Sequence, residues 1–229
     1  MENSKSEKEL ASFIARTLRE NFGRGPDSVF VSITPPFVTV YFTNFLSPME
    51  KTLLQKRGVV FVQETRDFLM ETLIEEMKAY IKVNVGMEIQ EFYYDWNLDS
   101  RSGMFVGISE TTRTAFEASY SNQDKIHNEI SNFTAEIQKR PDKIFSYLIN
   151  PRTILIIREG IFISIEKELI QLGFHEQLRI SKRNLEKRVL HQHRENFEKY
   201  LHAQLTDILV DWDFDRDKSS ILFIFKPRT

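Results

Sequence analysis

Tyr94-Asp95-Trp96-Asn97-Leu98-Asp99 recurs at an offset of 116 as Val210-Asp211-Trp212-Asp213-Phe214-Asp215, and the two copies hold both tryptophans of the chain. The match runs outward. Met49-Glu50-Lys51-Thr52-Leu53-Leu54-Gln55 returns at the same offset as Ile165-Glu166-Lys167-Glu168-Leu169-Ile170-Gln171. Pro26-Asp27-Ser28-Val29-Phe30 returns at an offset of 115 as Pro141-Asp142-Lys143-Ile144-Phe145, which places a one-residue deletion in the second loop. Solenoid units are typically about 20–50 residues, so a period this long marks a duplicated domain.

The 229 residues therefore divide into two modules, 1–112 and 122–229, each large enough for a modest core. A formal net charge of −2 supplies no field that would gather nucleic acid or anionic lipid over the whole surface, so no nucleic-acid partner is expected. The absence of Cys removes thiol nucleophiles, disulfides and thiolate metal sites together, and fits a reducing cytoplasm. The first residues, MENSKSEKEL, form no apolar signal region. The most apolar stretch, Ile154 to Ile165, is interrupted by Arg158 and Glu159, so neither export nor direct membrane insertion is expected.

Leu10, Phe13, Ile14, Thr17, Leu18 and Phe22 recur at helical spacing, and Ile126, Ile130, Phe133 and Ile137 repeat the pattern. Gly23-Arg24-Gly25-Pro26 ends the first helix. Alternating strands follow at Val29 to Ile33 and Val38 to Phe42, with copies at Ile144 to Ile149 and Thr153 to Arg158. Ser47-Pro48 is a helix start, and a bend is expected near Gly58. Beyond it Val62, Leu69, Met70, Leu73, Met77, Tyr80 and Ile81 form one apolar face, echoed by Leu185, Val189, His193, Phe197 and Leu201. The last strand pairs are Glu88 to Leu98 with Gly103 to Ser109, and Leu205 to Phe214 with Ser220 to Lys226. Each module thus reads α-β-β-α-β-β. The fold class is α+β: mostly antiparallel sheets with helices on one face, two modules related by a pseudo-twofold. Residues 110–124 read as a polar, partly helical linker.

This order resembles the bacterial MpsC family, named for a component of a sodium-translocating, membrane-potential-generating system. It rests on an amphipathic first helix, Gly23-Arg24-Gly25-Pro26, a hairpin, Leu46-Ser47-Pro48-Met49-Glu50-Lys51, a long charged helix and a final strand pair. Family members are usually one domain long, so the chain resembles two fused copies, the second diverged. The resemblance implies a soluble accessory protein, in the cytoplasm or peripheral to the membrane through a partner, serving sodium translocation or inorganic carbon uptake.

The residues themselves offer few sites. Gly23, Arg24 and Gly25, with Arg140 in the second copy, are the candidate binding residues, because a glycine turn exposes backbone while arginine presents a two-pronged donor. A phosphate loop precedes its helix whereas this turn follows one, so the bland reading is a C-cap. Asp95, Asn97 and Asp99, with Asp211, Asp213 and Asp215, begin like a calcium loop, but Ser100 and Arg216 replace its glycine and Val106 and Leu222 its glutamate. They are read as solvated strand ends, with Trp96 and Trp212 on the opposite face beneath the helices. Glu50 and Glu166 read as helix caps. His175, His191, His193 and His202 fall in the second copy. On a helix His191 and His193 lie about 200° apart and do not converge on a metal. His193, replacing Met77, is expected to find a hydrogen-bond partner across the contact between modules.

No catalytic motif is present, so the chain is not expected to be an enzyme, to need a cofactor or to bind a metal. The leading expectation is a protein-binding module, monomeric with its pseudo-dimer inside one chain, whose partner is a membrane transport component. The alternative is a ligand-binding sensor with a pocket between the modules.

Overall fold

A computed structural model describes residues 2–109 and 119–226. The linker assigned to 110–124 lies largely outside the described residues. The chain divides into two compact units, Met1–Ala115 and Phe116–Thr229.

In the first unit the elements run α1 (Glu2–Phe22), β1 (Ser28–Thr34), β2 (Phe37–Thr43), α2 (Pro48–Arg57), α3 (Val59–Val85), β3 (Ile89–Asn97) and β4 (Ser102–Ser109). The sheet order is β1-β2-β4-β3, with every neighbour antiparallel. The periodic face of α1 (Leu10, Phe13, Ile14, Leu18, Phe22) and that of α3 (Met70, Leu73, Met77, Ile81) share one core with Val38, Val40, Phe42, Phe105 and Trp96. The tryptophan therefore lies on the helix-covered side of the sheet. The bend expected at Gly58 is a full break, because its φ of 85° is a left-handed conformation that a helix cannot carry through.

The second unit repeats the plan with α4 (Gln123–Ile137), β5 (Lys143–Asn150), β6 (Thr153–Glu159), α5 (Ser164–Gln171), α6 (His175–Gln192), α7 (Arg194–Leu201), β7 (Leu205–Asp213) and β8 (Lys218–Phe225). Its sheet order is β5-β6-β8-β7. The residue deleted before Pro141 is restored inside β5, where the register shifts between Leu148 and Asn150, so that β6 returns to the offset of 116 from β2. One helix of the first unit is two in the second. The face from Leu185 to Leu201 is interrupted at His193, which separates α6 from α7 where Met77 continues α3 without a break.

Candidate functional site

Under the helices of each unit, next to the tryptophan, lies a layer of buried charge. In the first unit Ser47 caps α2 by accepting from the Glu50 N–H at 3.3 Å, and Glu50 returns the bond by accepting from the Ser47 N–H at 2.7 Å. The same carboxylate takes Arg66 Nε at 2.7 Å and Nη2 at 3.1 Å, and Nη2 also donates to the Phe45 carbonyl at 3.1 Å. The guanidinium stands 4.7 Å from the Phe45 ring and 4.9 Å from Trp96, so the aromatic faces share in holding a cation that has no exposed surface. Burial pushes the Glu50 carboxyl up, but the Arg66 hydrogen bonds and charge, with those from Ser47, outweigh it and hold the group below its ordinary value. Sequence analysis assigned Glu50 to capping alone; the residue both caps a helix and anchors a buried arginine.

The second unit enlarges this layer. Glu166 keeps the place of Glu50, and Lys182, at the Arg66 position, meets it at 2.6 Å with the ammonium 5.1 Å from Phe162 and 5.2 Å from Trp212. Gln138, where the first unit has Phe22, donates to both Glu166 oxygens at 2.7 and 2.9 Å. A second pair stands beside the first: Arg158 Nη2 donates to Glu186 at 2.6 Å, Nη1 to Thr134 Oγ1 at 2.9 Å and Nε to Ser219 Oγ at 2.7 Å. Glu186 also accepts from Trp212 Nε1 at 3.1 Å and lies 3.4 Å from Lys182. At the offset of 116 the first unit has Phe42, Met70, Leu18 and Gly103 in place of Arg158, Glu186, Thr134 and Ser219. Those positions are sterically linked, since a Cβ on Gly103 would come within 2.4 Å of the Phe42 ring. One cation and one carboxylate, Arg158 and Glu186, thus fill a volume that the sister module fills with hydrocarbon, beside an ion pair that both units keep.

The candidate residues read from the sequence fall elsewhere. Gly23 has a φ of 73° and closes α1 as a left-handed C-cap, and Gly25 packs so tightly on α1 that a Cβ would lie 3.0 Å from the Ala15 carbonyl. Arg24 pairs with Asp27 at 3.3 Å. The Asp27 carboxyl is held below its usual range first by the Asn44 side-chain amide, against slight desolvation, and then by Arg24. Arg140 folds back on α4, donating to Ser131 Oγ at 3.1 Å and Asn132 Oδ1 at 3.3 Å. Each arginine is engaged within its own unit.

Two expectations are corrected. Asp95 and Asp211 are buried rather than solvated: Asp95 accepts from the Trp96 N–H at 2.7 Å, and Asp211 pairs with Arg179. Asn97 and Asp213 sit at the strand ends and close the hairpins, Asn97 accepting from the Asp99 N–H at 3.1 Å and Asp213 from the Arg216 N–H at 3.0 Å. His193 finds its partners inside its own unit, with Nδ1 2.7 Å from Glu129 and Nε2 3.2 Å from Glu136, both on α4. The face that lacks Met77 is close enough to the acidic side of α4 to satisfy an imidazole locally.

Sequence reasoning missed a polar knot on the second sheet. Ser146 Oγ lies 2.8 Å from Tyr120 Oη, 3.1 Å from Gln123 Nε2 and 2.7 Å from His127 Nε2. Tyr120, pushed up to about 12 chiefly by burial, and the Gln123 amide donate into the two serine lone pairs, leaving the serine proton for His127. Burial holds the His127 pKa down, against the pull of Asp124, which agrees with a neutral ring accepting at Nε2. A serine with its donor and both acceptor sites occupied, 4% exposed, is a fastening of α4 to β5. The signal was a polar Ser146 within the alternating strand Ile144 to Ile149. A cavity of about 670 Å³ opens nearby within the same unit, lined by Tyr120, Leu148, Pro151, Leu201 and Phe225.

Among the described residues, no cluster of three or more His, Cys, Asp or Glu is placed to hold a metal ion, and no helix is long and apolar enough to cross a membrane. The molecule is a pair of αββααββ-type α+β modules with charge sealed beneath their helices. The family model for the Na+-translocating membrane potential-generating system (MpsC) matches residues 2–111 and again 120–227, and the chain belongs to that family as a tandem duplication. It is also similar to the uncharacterized protein YbcI of Bacillus subtilis (strain 168), 31% identical over 103 residues. That alignment takes 82% of YbcI but 44% of this chain, so YbcI has the length of one module. No solved structure matches.

Proposed function

We propose that this protein is a non-enzymatic accessory component of a sodium-translocating, membrane-potential-generating or inorganic-carbon uptake system, working by binding a protein of that system. The observation that carries the reading is the family match through both halves. It is supported by the use of the buried ionic groups in packing, since each of the four central charges in the second unit is opposed by another at 3.4 Å or less. The turn side chains Arg24 and Arg140, beside Gly23 and Gly25, are the contacts we assign to the partner; both lie at the surface with only local polar neighbours. The test is affinity purification of the full chain from native membranes after mild cross-linking. Reproducible enrichment of a transport component supports the reading, and its loss on Arg24→Ala with Arg140→Ala supports the assigned contacts. Recovery of no such component in repeated trials refutes the function.

A further inference from the structure

The corner between α2 and α3 places apolar side chains outward where a soluble surface normally carries charge. Val59 is 45% exposed, Val60 46% and Phe61 41%, and Met49, at the other end of α2, is 62% exposed. Lys56 and Arg57 end α2 beside Val59 to Phe61, and Lys51 lies further back along the same helix, all exposed and without an ion-pair partner among the described residues; Arg57 lies 5.9 Å from the Phe61 ring. From Pro48 to Gln63 there is one acidic residue, Glu50, and it is buried on Arg66. The outward charge from Pro48 to Gln63 is therefore positive, and exposed Glu64, one turn beyond Val60, is the first acid next to it. Acidic side chains begin at Glu64 and continue along α3 through Asp67, Glu71, Glu75 and Glu76, before Lys78 and Lys82 near its end.

Apolar residues on a locally cationic, outward-pointing corner match the chemistry of an anionic bilayer surface, where hydrocarbon enters the headgroup boundary and lysine and arginine meet phosphate. We infer that the α2–α3 corner of the first unit docks directly on anionic lipid, seating Val59, Val60 and Phe61 at the interface. This deepens the accessory reading above by naming a membrane contact of the chain's own, but it stands on the corner's composition alone. The equivalent corner of the second unit also exposes apolar side chains, Ile165, Leu172 and Phe174, yet its exposed charges are Lys167 with Glu168 and Glu176. It lacks the cationic rim and does not dock.

The test is cosedimentation of the full chain with phosphatidylglycerol-containing vesicles and with pure phosphatidylcholine vesicles. Binding to the anionic vesicles is expected, weakened by raised salt and far weaker on phosphatidylcholine. Lys56→Gln with Arg57→Gln is expected to lower the partition by roughly 25-fold, from about fivefold per basic residue. Val60→Ser with Phe61→Ser is expected to lower it by about tenfold or more. Ile165→Ser with Phe174→Ser serves as the control and is expected to change nothing. All these positions are exposed, and unchanged unfolding temperatures check that the fold survives. Absent binding to anionic vesicles overturns the inference, as does binding indifferent to the corner variants or equally lost in the control. If the corner variants abolish capture of a membrane protein while protein-free vesicles bind nothing, the corner is a protein contact and the lipid assignment is wrong. Vesicle binding without any captured component leaves the inference standing and refutes the accessory function.

Discussion

Glu186→Met, made alone and in an apolar background, tests whether the charged layer of the second unit is one interdependent group. Alone, the change removes the acceptor of Arg158 at 2.6 Å and of Trp212 Nε1 at 3.1 Å, and a carboxylate 3.4 Å from Lys182. Arg158 keeps Thr134 and Ser219 but loses its counter-charge in a site with no exposed surface, and breaking such a pair costs about 3–5 kcal/mol. The background is Thr134→Leu, Arg158→Phe and Ser219→Gly, which installs the first unit's residues and clears the space that its Phe42 ring needs over Gly103. There Glu186→Met discards a carboxylate whose main cation is already gone. The remaining losses are the indole hydrogen bond, worth about 1–3 kcal/mol, and one contact to Lys182, offset by removing the desolvation of two ions. The fourfold variant is expected within about 2 kcal/mol of the natural chain, and the coupling between the two sets of changes is expected to exceed about 2 kcal/mol. Hydrogen exchange of the β8 amides in the full-length protein reads the opening of this unit specifically. If the fourfold variant loses the plain sum of the two separate costs, the layer is not coupled and the reasoning fails.

Three further outcomes follow from single groups. His127 has a folded pKa below its ordinary 6.5, so its contribution is complete above that value and declines as pH falls below it; exchange of β5 amides between pH 8 and 5.5 is expected to show this slope, and His127→Gln to flatten it. Glu50 has a folded pKa below 4.5, so its contribution is present above that value and is lost as pH falls through the folded one; Glu50→Gln is expected to cost about 3–5 kcal/mol at pH 7 and much less under strongly acidic conditions, measured by exchange of β4 amides. Gly23→Ala meets no atom within 4 Å but must hold a φ of 73°, so a loss of about 1 kcal/mol is expected in thermal unfolding, and no loss would mean that the cap relaxes freely.

How far these features were legible depended on the range of the interaction behind them. The Ser47 cap, a bend at Gly58 and the alternation that sets Trp96 on the face opposite Asp95 are local and legible, although the bend is a full break. The order β1-β2-β4-β3 is set by pairings between distant segments, which alternation does not specify. Asp95 and Asp211 were misread for a related reason: alternation separates two faces of a strand without saying which remains open to water. Arg158 is the most instructive case, because it was read only as an interruption of an apolar run, yet it is one of the most buried side chains in the chain. Its meaning lay in a second position far away. Relative to the first copy, β6 gains a cation for Phe42 and α6 gains a carboxylate for Met70, at the same offset and with opposite signs. Arg158 alone would be a buried cation without a counter-charge, whereas with Glu186 the two neutralise each other and recruit Thr134 and Ser219 for the remaining donors. A duplicated chain thus carries its own reference, and paired departures of opposite charge between its copies identify contacts that neither copy reveals alone.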